Sequence, residues 1–209
     1  MRMIWSREQS RNDSAIFIDR DGVINCRRAD DYVLDWSQFV FVEGIREALR
    51  ELASLRLPMI LISNQSAIGR GLLEPAELEG ITKRMWKTLE QDGTLLSAAY
   101  FCPHRPDEKC VCRKPQPELL KQAAADFAID LTRSVLIGDS DADVKAAQAV
   151  GCHPVLFGQG LTACSDSPQW MQDVPVARSA KDLFEVTVGT LQKANPGATA
   201  VSPDVTSRR

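Results

Sequence analysis

The stretch AIFIDRDG at residues 15–22 places two acidic side chains directly after a short apolar run. A continuous apolar run of this length predicts a buried strand of a parallel sheet. Two carboxylates one residue apart at a strand end are costly to hold together without a cation. The stretch therefore predicts a strand with a charged site at its carboxyl end, and an ordinary acidic turn is the alternative.

Further apolar runs along the chain predict the rest of the sheet. They are MILI at 59–62, AAYF at 98–101, SVLI at 134–137 and PVLF at 154–157. Apolar residues recur at helical spacing between these runs, at 45–55 and at 120–127. This alternation predicts an α/β fold with a doubly wound, mostly parallel sheet. A helix and a strand fill most of the interval from Asp21 to Ser63, which leaves no room for a large cap domain.

Length and charge limit the classes of function. The chain has 209 residues, a net charge of -3 and an isoelectric point near 5.5. This balance predicts no nucleic-acid partner and no membrane partner, and we expect a cytoplasmic monomer that acts on a small molecule. We predict an N-terminal extension at 1–13, one domain at 14–190 and a disordered tail at 191–209.

The acidic cluster suits covalent phosphate chemistry. Asp19, nearest to the strand, is the candidate nucleophile, and a phosphoaspartate would divide hydrolysis into two easier displacements. Asp21 is the candidate general acid and base. Attack of one anion on another requires a hard cation such as Mg²⁺, for which Asp139 is the candidate remote ligand. A helix N-cap is the alternative role of Asp139. Asp143 could bind the ion or orient its water shell.

Two further segments offer groups that bind phosphate. Ser63, Asn64 and Gln65 follow the second apolar run and supply a hydroxyl and two amides. Ser63 is a candidate catalytic residue, and the two amides are candidates for substrate binding. Arg113 and Lys114 supply positive charge, Lys114 for catalysis and Arg113 for the substrate. Taken alone, either segment could be ordinary surface.

A metal site precedes Arg113 in the sequence. Cys102 and His104 are followed after five residues by Cys110 and Cys112. Three thiolates and one imidazole predict a closed, tetrahedral zinc site, which is structural because no position stays open for water. We expect this loop at 102–112 to fix the two cations that follow it.

In their order and positions these motifs resemble the haloacid dehalogenase superfamily of phosphatases over residues 15–160. The resemblance implies that Asp19 is the nucleophile, Asp21 the acid and base, and Asp139 a magnesium ligand. It also implies that Ser63 and Lys114 bind the phosphate. In such enzymes the second aspartate gives its backbone carbonyl to magnesium, so Asp21 is expected to serve twice.

Within the superfamily the zinc loop, RKPQP at 113–117, DRDGVIN at 19–25 and NQS at 64–66 resemble the heptose bisphosphate phosphatases. Histidinol-phosphate phosphatases share the zinc loop and are the alternative. The resemblance implies removal of a 7-phosphate with the 1-phosphate retained, in ADP-heptose synthesis for lipopolysaccharide. The tract from Arg27 to Asp35 is expected to recognise the sugar. The chain departs from the family at Ala67, often glycine, at Ser140, often lysine or arginine, and after about residue 160.

Two readings without phosphatase activity stay open. Receiver-type signalling domains also place acidic residues and a lysine around magnesium, but they carry the acidic pair and the phosphoacceptor on different strands. A zinc-dependent interaction module would explain the cysteines and leave Asp19, Asp21, Lys114 and Asp139 without a role.

Overall fold

A computed structural model describes residues 1–5, 13–28, 32–158, 171 and 173–196 of the chain. Part of the predicted sugar-recognition tract (29–31) and the end of the predicted tail (197–209) lie outside the described residues. Within the described ranges seven strands form one sheet: β1 Arg2–Ile4, β2 Ile16–Ile18, β3 Met59–Asn64, β4 Ala98–Cys102, β5 Val135–Gly138, β6 His153–Phe157 and β7 Val176–Ala177.

The sheet has the order β1-β4-β3-β2-β5-β6-β7. All neighbours run parallel except β1, which pairs antiparallel with β4 at one edge. The chain leaves the central β2 through β3 and β4 on one side and returns through β5, β6 and β7 on the other. The predicted doubly wound α/β fold is confirmed. In the described part of the chain no separate cap domain is evident.

The described residues form six α-helices beside the sheet: α1 Ile45–Ala53, α2 Ser66–Gly69, α3 Pro75–Gln91, α4 Glu118–Phe127, α5 Asp141–Gln148 and α6 Ala180–Ala194. Ile16 and Ile18 of β2 point to the face that is covered by α1, α3 and α6. Phe17 points to the opposite face, which is covered by α4 and α5. The central strands are thus buried on both sides, which explains their continuous apolar sequences.

The ends of the chain contribute more structure than the sequence predicts. The segment predicted as an N-terminal extension at 1–13 contains a strand of the sheet, because Arg2–Ile4 form β1, and the Met1 ammonium donates to the carbonyl of Phe101 at 3.0 Å. At the other end α6 continues past residue 190 to Ala194. No helix in the described ranges is both long enough and apolar enough to cross a membrane.

Strands are added to the sheet on one side of β2 and then on the other, so β2, between β3 and β5, is the point at which the strand order reverses. In doubly wound folds the crevice outside the carboxyl ends of the strands at such a switch point is where ligands bind. Asp19 directly follows β2, Ser63 and Asn64 end β3, and Asp139 directly follows β5. The fold therefore brings the predicted catalytic segments to one edge of the sheet.

Candidate active site

A cleft of about 630 Å³ opens at the carboxyl ends of the central strands. Many of the predicted catalytic and substrate-binding residues line it: Asp19, Asp21, Ser63, Asn64, Gln65, Arg113 and Lys114. Three separate segments of the chain supply these side chains. The cleft is the candidate active site.

The Lys114 ammonium lies at the centre of the polar contacts. Its Nζ is 2.9 Å from Asp19 Oδ1 and 2.5 Å from Asp143 Oδ1, and it donates to the carbonyl of Ile62 at 2.9 Å. All three side chains are buried. The ammonium thus pairs with two carboxylates and donates a hydrogen bond to one carbonyl. Lys114 is therefore held rigidly against the candidate nucleophile.

Burial and charge shift the pKa of both partners. Burial raises the pKa of Asp19 to about 7 against the opposing charge of Lys114, and the charges of Asp143 and Asp21 act in the same direction as burial. Burial alone would lower the pKa of Lys114, but the carboxylates of Asp143 and Asp19 hold it above its ordinary value. Lys114 is therefore a permanent cation beside Asp19.

Asp21 accepts hydrogen bonds on both carboxylate oxygens. Arg20 Nη2 lies 2.9 Å from Oδ1 and 3.0 Å from Oδ2, Asn25 Nδ2 donates to Oδ1 at 3.0 Å, and Gln65 Nε2 donates to Oδ2 at 2.7 Å. Burial alone would raise the pKa of Asp21, but the Arg20 guanidinium and these donors hold it below its ordinary value. The Asp21 carboxylate is therefore ionised and fixed in direction.

Three carboxylates form a group that suits a divalent cation. Oxygen atoms of Asp19, Asp139 and Asp143 lie within 4.8 Å of one another. Carboxylate oxygens are the ligands that Mg²⁺ prefers, so the donor set fits this ion. Asp21 was predicted to contribute its backbone carbonyl to the ion, and its side chain is directed to Arg20, Asn25 and Gln65.

Local backbone geometry brings Asp139 close to the first motif. Gly22 has a φ of +92°, and a Cβ at this position would lie 1.8 Å from Asp139 Oδ2. Ser140, and not Asp139, is the N-cap of α5. Asp143 Oδ2 accepts from the backbone N–H and the hydroxyl of Ser140 at 3.2 and 2.5 Å. Asp139 is therefore left with its side chain directed towards the site.

The amides after β3 are already bonded to other parts of the site. Asn64 Nδ2 donates to the carbonyl of Lys114 and Asn64 Oδ1 accepts from its N–H, both at 3.1 Å. Gln65 Nε2 donates to Ser63 Oγ at 3.0 Å as well as to Asp21. Asn64 and Gln65 were predicted to bind substrate, and in this structure their side chains position Lys114, Ser63 and Asp21.

Arginines surround the mouth of the cleft. Arg27, Arg28, Arg70 and Arg113 line it and come from three segments of the chain. Arg27 Nη2 lies 2.6 Å from Asp139 Oδ1, while Arg113 Nη1 donates to the carbonyl of His104 at 3.4 Å. Guanidinium groups match the geometry of phosphate oxygens. The cleft is therefore suited to a substrate with more than one phosphate.

The predicted zinc ligands converge at the end of β4. The Sγ atoms of Cys102, Cys110 and Cys112 are 3.4, 3.5 and 3.7 Å apart, and His104 Nδ1 lies 3.3 Å from Cys112 Sγ and 3.6 Å from Cys102 Sγ. Zinc–sulfur bonds of about 2.3 Å in a tetrahedron place sulfur atoms about 3.8 Å apart. The four side chains therefore fit a tetrahedral metal ion.

The loop at 102–112 is packed against the cleft. Gly69 at the end of α2 donates its N–H to the carbonyl of Pro103 at 2.9 Å, and a Cβ at Gly69 would lie 2.7 Å from that oxygen. Arg113 and Lys114 directly follow the last cysteine. A metal ion in this loop would therefore restrain both the lysine beside Asp19 and the contact with α2.

Two arginines in the site were not assigned a specific role from the sequence. Arg20 is 1% exposed and orients Asp21, and Arg27 pairs with Asp139 across 112 residues of sequence. The position of Arg20 between two aspartates is a local signal for the first contact. The contact between Arg27 and Asp139 depends on tertiary structure. The only sequence signal for it is the position of Arg27 shortly after the acidic motif.

The fold and the cleft together define a phosphatase of the haloacid dehalogenase superfamily. A family model described as HAD-hydrolase-like matches residues 111–183. The chain is 36% identical to D-glycero-beta-D-manno-heptose-1,7-bisphosphate 7-phosphatase of Pseudomonas aeruginosa over 70% of this chain and 82% of the relative. It is 39% identical to the Yersinia pestis protein of the same name over 80% of this chain and 96% of the relative.

A solved structure gives the same relationship. The crystal structure of D,D-heptose 1,7-bisphosphate phosphatase from B. bronchiseptica, complexed with magnesium and phosphate, is 31% identical and superposes with a TM-score of 0.72. The match covers 82% of this chain and 96% of that one. The chain belongs to the family of the heptose 1,7-bisphosphate 7-phosphatases.

Proposed function

We propose that this protein removes the 7-phosphate of D-glycero-D-manno-heptose 1,7-bisphosphate and retains the 1-phosphate, in the synthesis of ADP-heptose for lipopolysaccharide. The observation that carries the proposal is the contact of 2.9 Å between Lys114 Nζ and Asp19 Oδ1 in an arginine-lined cleft. The names of the relatives supply the substrate. Their names specify the beta anomer, which we therefore expect to be the better substrate.

In the first step a carboxylate oxygen of Asp19 attacks the phosphorus atom of the 7-phosphate. The bond from phosphorus to the sugar oxygen breaks, and the sugar oxygen keeps the electron pair of that bond. Asp21 donates a proton to this oxygen. In the free site the contacts of Asp21 lower its pKa. The negative charge of a bound phosphate raises the pKa of Asp21 and so favours the protonated acid that this step requires. Lys114 and the Ser63 hydroxyl stabilise the charge on the phosphoryl oxygens.

In the second step water attacks the phosphorus atom of the phosphoaspartate, and Asp21 takes a proton from that water. The bond from phosphorus to Asp19 breaks, which restores the carboxylate and releases inorganic phosphate. The low pKa of Asp21 in the free site keeps this carboxyl ionised near neutral pH. The hydrogen bonds from Arg20 and Gln65 fix its direction for both steps.

Asp19, Asp139 and the backbone carbonyl of Asp21 would hold the catalytic Mg²⁺, with Asp143 adjacent. This ion supplies charge neutralisation between the nucleophile and the phosphoryl group. The convergence of Asp19, Asp139 and Asp143 supports the proposal, as does the magnesium and phosphate complex of the B. bronchiseptica protein.

Cys102, His104, Cys110 and Cys112 would hold a structural Zn²⁺. Their spacing supports a closed four-ligand site. Thiolates must remain reduced to bind zinc, which agrees with a cytoplasmic setting. We further propose that the protein acts as a monomer, because the described cleft is built within one chain.

The test is phosphate release in the presence of Mg²⁺ from the two anomers of heptose 1,7-bisphosphate and from histidinol phosphate, side by side. We expect preference for the beta bisphosphate, with loss of turnover in Asp19→Asn. If histidinol phosphate is hydrolysed faster, the phosphatase chemistry stands and the pathway is wrong. A phosphoaspartate that persists for minutes would instead indicate a signalling domain, and activity that survives Asp19→Asn would exclude the proposed nucleophile.

A further inference from the structure

Arg27 makes the closest recorded contact with the proposed remote magnesium ligand. Its Nη2 lies 2.6 Å from Asp139 Oδ1. The Asp139 side chain is 14% exposed, whereas the Arg27 side chain is 57% exposed and lies in an irregular segment that lines the cleft. The carboxylate is therefore held by the fold, and its partner is free to move away from it.

The cations that pair with the carboxylates of the site differ in how deeply they are buried. Arg20 is bonded to Asp21, and Lys114 is shared between Asp19 and Asp143. Both of these cations are almost fully buried, so complete release from their carboxylates would leave a buried charge without its partner. Among the described cations that touch these carboxylates, Arg27 is the one that can exchange its partner without leaving a buried charge behind.

We propose that Arg27 is a displaceable counter-ion of Asp139, and that it transfers to a phosphate group of the substrate when a divalent cation takes the carboxylate. This inference rests on the proposed magnesium site. A guanidinium and a divalent cation on one carboxylate repel each other, so they are alternative partners of Asp139. Arg27 already lines the cleft, and a released guanidinium there is a bidentate donor to phosphate.

The exchange makes two binding events interdependent. The ion must displace Arg27, which weakens metal binding in the absence of phosphate. A phosphate group forms a new ion pair with the released Arg27 and thereby offsets the free energy lost when the pair with Asp139 is broken. Magnesium and phosphate should therefore each raise the affinity for the other, because coupling between two ligands is reciprocal.

The first measurement is Mg²⁺ affinity by titration calorimetry at physiological salt. Arg27→Ala should bind Mg²⁺ about fivefold to tenfold more tightly than the unmodified protein, because the competing ion pair is gone. Arg27→Lys, which keeps the charge, should fall between the two. Arg70→Ala is the matched control: it removes the same charge from the cleft rim, on a different segment, and should change the affinity less than about twofold.

The second measurement is the affinity for inorganic phosphate with and without Mg²⁺. The gain in phosphate affinity caused by Mg²⁺ should be clearly smaller in Arg27→Ala than in the unmodified protein and unchanged in Arg70→Ala. Equal or weaker Mg²⁺ binding by Arg27→Ala would overturn the displacement, and an unchanged gain would overturn the transfer.

Asp139→Asn separates this inference from the proposed function. If the unmodified protein binds no Mg²⁺, or if Asp139→Asn binds it equally well, the proposed metal site is wrong. If Asp139→Asn loses Mg²⁺ binding and Arg27→Ala resembles the unmodified protein, the metal site stands and only the role of Arg27 is wrong. Circular dichroism spectra of all variants verify that the fold is retained.

Discussion

At the scale of single residues, one cation in the site contacts more than one carboxylate. One ammonium, that of Lys114, contacts Asp19, Asp143 and the carbonyl of Ile62. The three acceptors match its three N–H bonds, whereas the planar guanidinium of an arginine has its donors in a fixed fork. The compact ammonium of lysine therefore suits this buried position, and the carboxylate of Asp143 contributes to holding it beside the nucleophile.

Gly22 is a residue at which any side chain should disrupt catalysis. Its φ of +92° disfavours a Cβ, and this atom would lie 1.8 Å from Asp139 Oδ2. Gly93 has a similar φ of +86° with open space around it. Gly22→Ala and Gly93→Ala should both lower the free energy of unfolding, by about 1 kcal/mol from backbone strain alone. Only Gly22→Ala should also reduce kcat, by about 100-fold or more, because it displaces Asp139.

Urea denaturation and phosphatase kinetics on the two variants check this pair of predictions. Gly93→Ala with reduced activity would mean that strain alone disturbs the site. Gly22→Ala with normal kcat would show that the position of Asp139 is not critical.

At the scale of elements, β3 is coupled to the loop that carries Lys114 through one side chain. Asn64 exchanges two hydrogen bonds with the backbone of Lys114. Asn64→Asp keeps the size and the acceptor but removes the donor, so the carbonyl of Lys114 would face a carboxylate. We expect kcat to fall about tenfold to 100-fold, because an unpaired buried group costs about 1–3 kcal/mol.

Asn195 offers a matched control for Asn64→Asp. It accepts from Arg133 Nε at 2.6 Å and donates to the carbonyl of Arg133 at 3.1 Å, remote from the cleft. Asn195→Asp should lower the melting temperature and leave kcat unchanged. An Asn64→Asp variant that lost stability but kept its kcat would show that Asn64 is structural and does not position Lys114.

The loop at 102–112 is a second element whose order should depend on one bound ion. Cys110→Ser removes one of the four proposed ligands, and we expect loss of bound zinc, a lower melting temperature and about tenfold lower activity as Arg113 and Lys114 loosen. Cys26→Ser is the control, because Cys26 is an exposed thiol outside the cluster. Metal analysis by mass spectrometry checks zinc content, and Cys110→Ser with full zinc would exclude the proposed ligand set.

The sequence predicted the elements whose pattern is local. The five central strands have continuous apolar runs, and their observed bounds differ from the predicted ones by a residue or two. β1 and β7 have only three and two residues, and their strand conformation depends on pairing with β4 and β6, which no local pattern encodes. A short edge strand is thus a tertiary feature.

Contacts within the site divide in the same way. The clusters around Asp19, Ser63 and Asp139 were predicted because each follows a strand end, and parallel strands bring such ends together. Lys114 was predicted to join them from a later loop. The bonding of Asn64 to Lys114 and of Arg27 to Asp139 was not predicted, since these pairs are 50 and 112 residues apart in sequence. From the sequence alone, asparagine and arginine at these positions are as compatible with binding phosphate as with bonding to another part of the protein.

At the scale of the whole molecule, the charge of the cleft opposes the charge of the chain. The net charge is -3, yet Arg27, Arg28, Arg70 and Arg113 line the opening. Aspartates also line the cleft, but its six cations outnumber its three aspartates, so the lining is net positive and attracts anionic ligands. No separate cap domain is evident among the described residues, so we expect this charge to contribute to retaining the substrate.

This arrangement predicts a salt dependence that increases with the number of phosphates on the substrate. Raising the ionic strength from about 0.1 M to about 1 M shortens the Debye length from about 10 Å to about 3 Å. We expect the KM for heptose 1,7-bisphosphate to rise about tenfold over this range and the KM for heptose 7-phosphate, which lacks the second phosphate, to rise about threefold. Arg70→Ala should reduce the salt dependence for both substrates, because it removes one charge of the opening. An equal rise for the two substrates would mean that the arginines do not contact the 1-phosphate and that the cleft selects its substrate by shape.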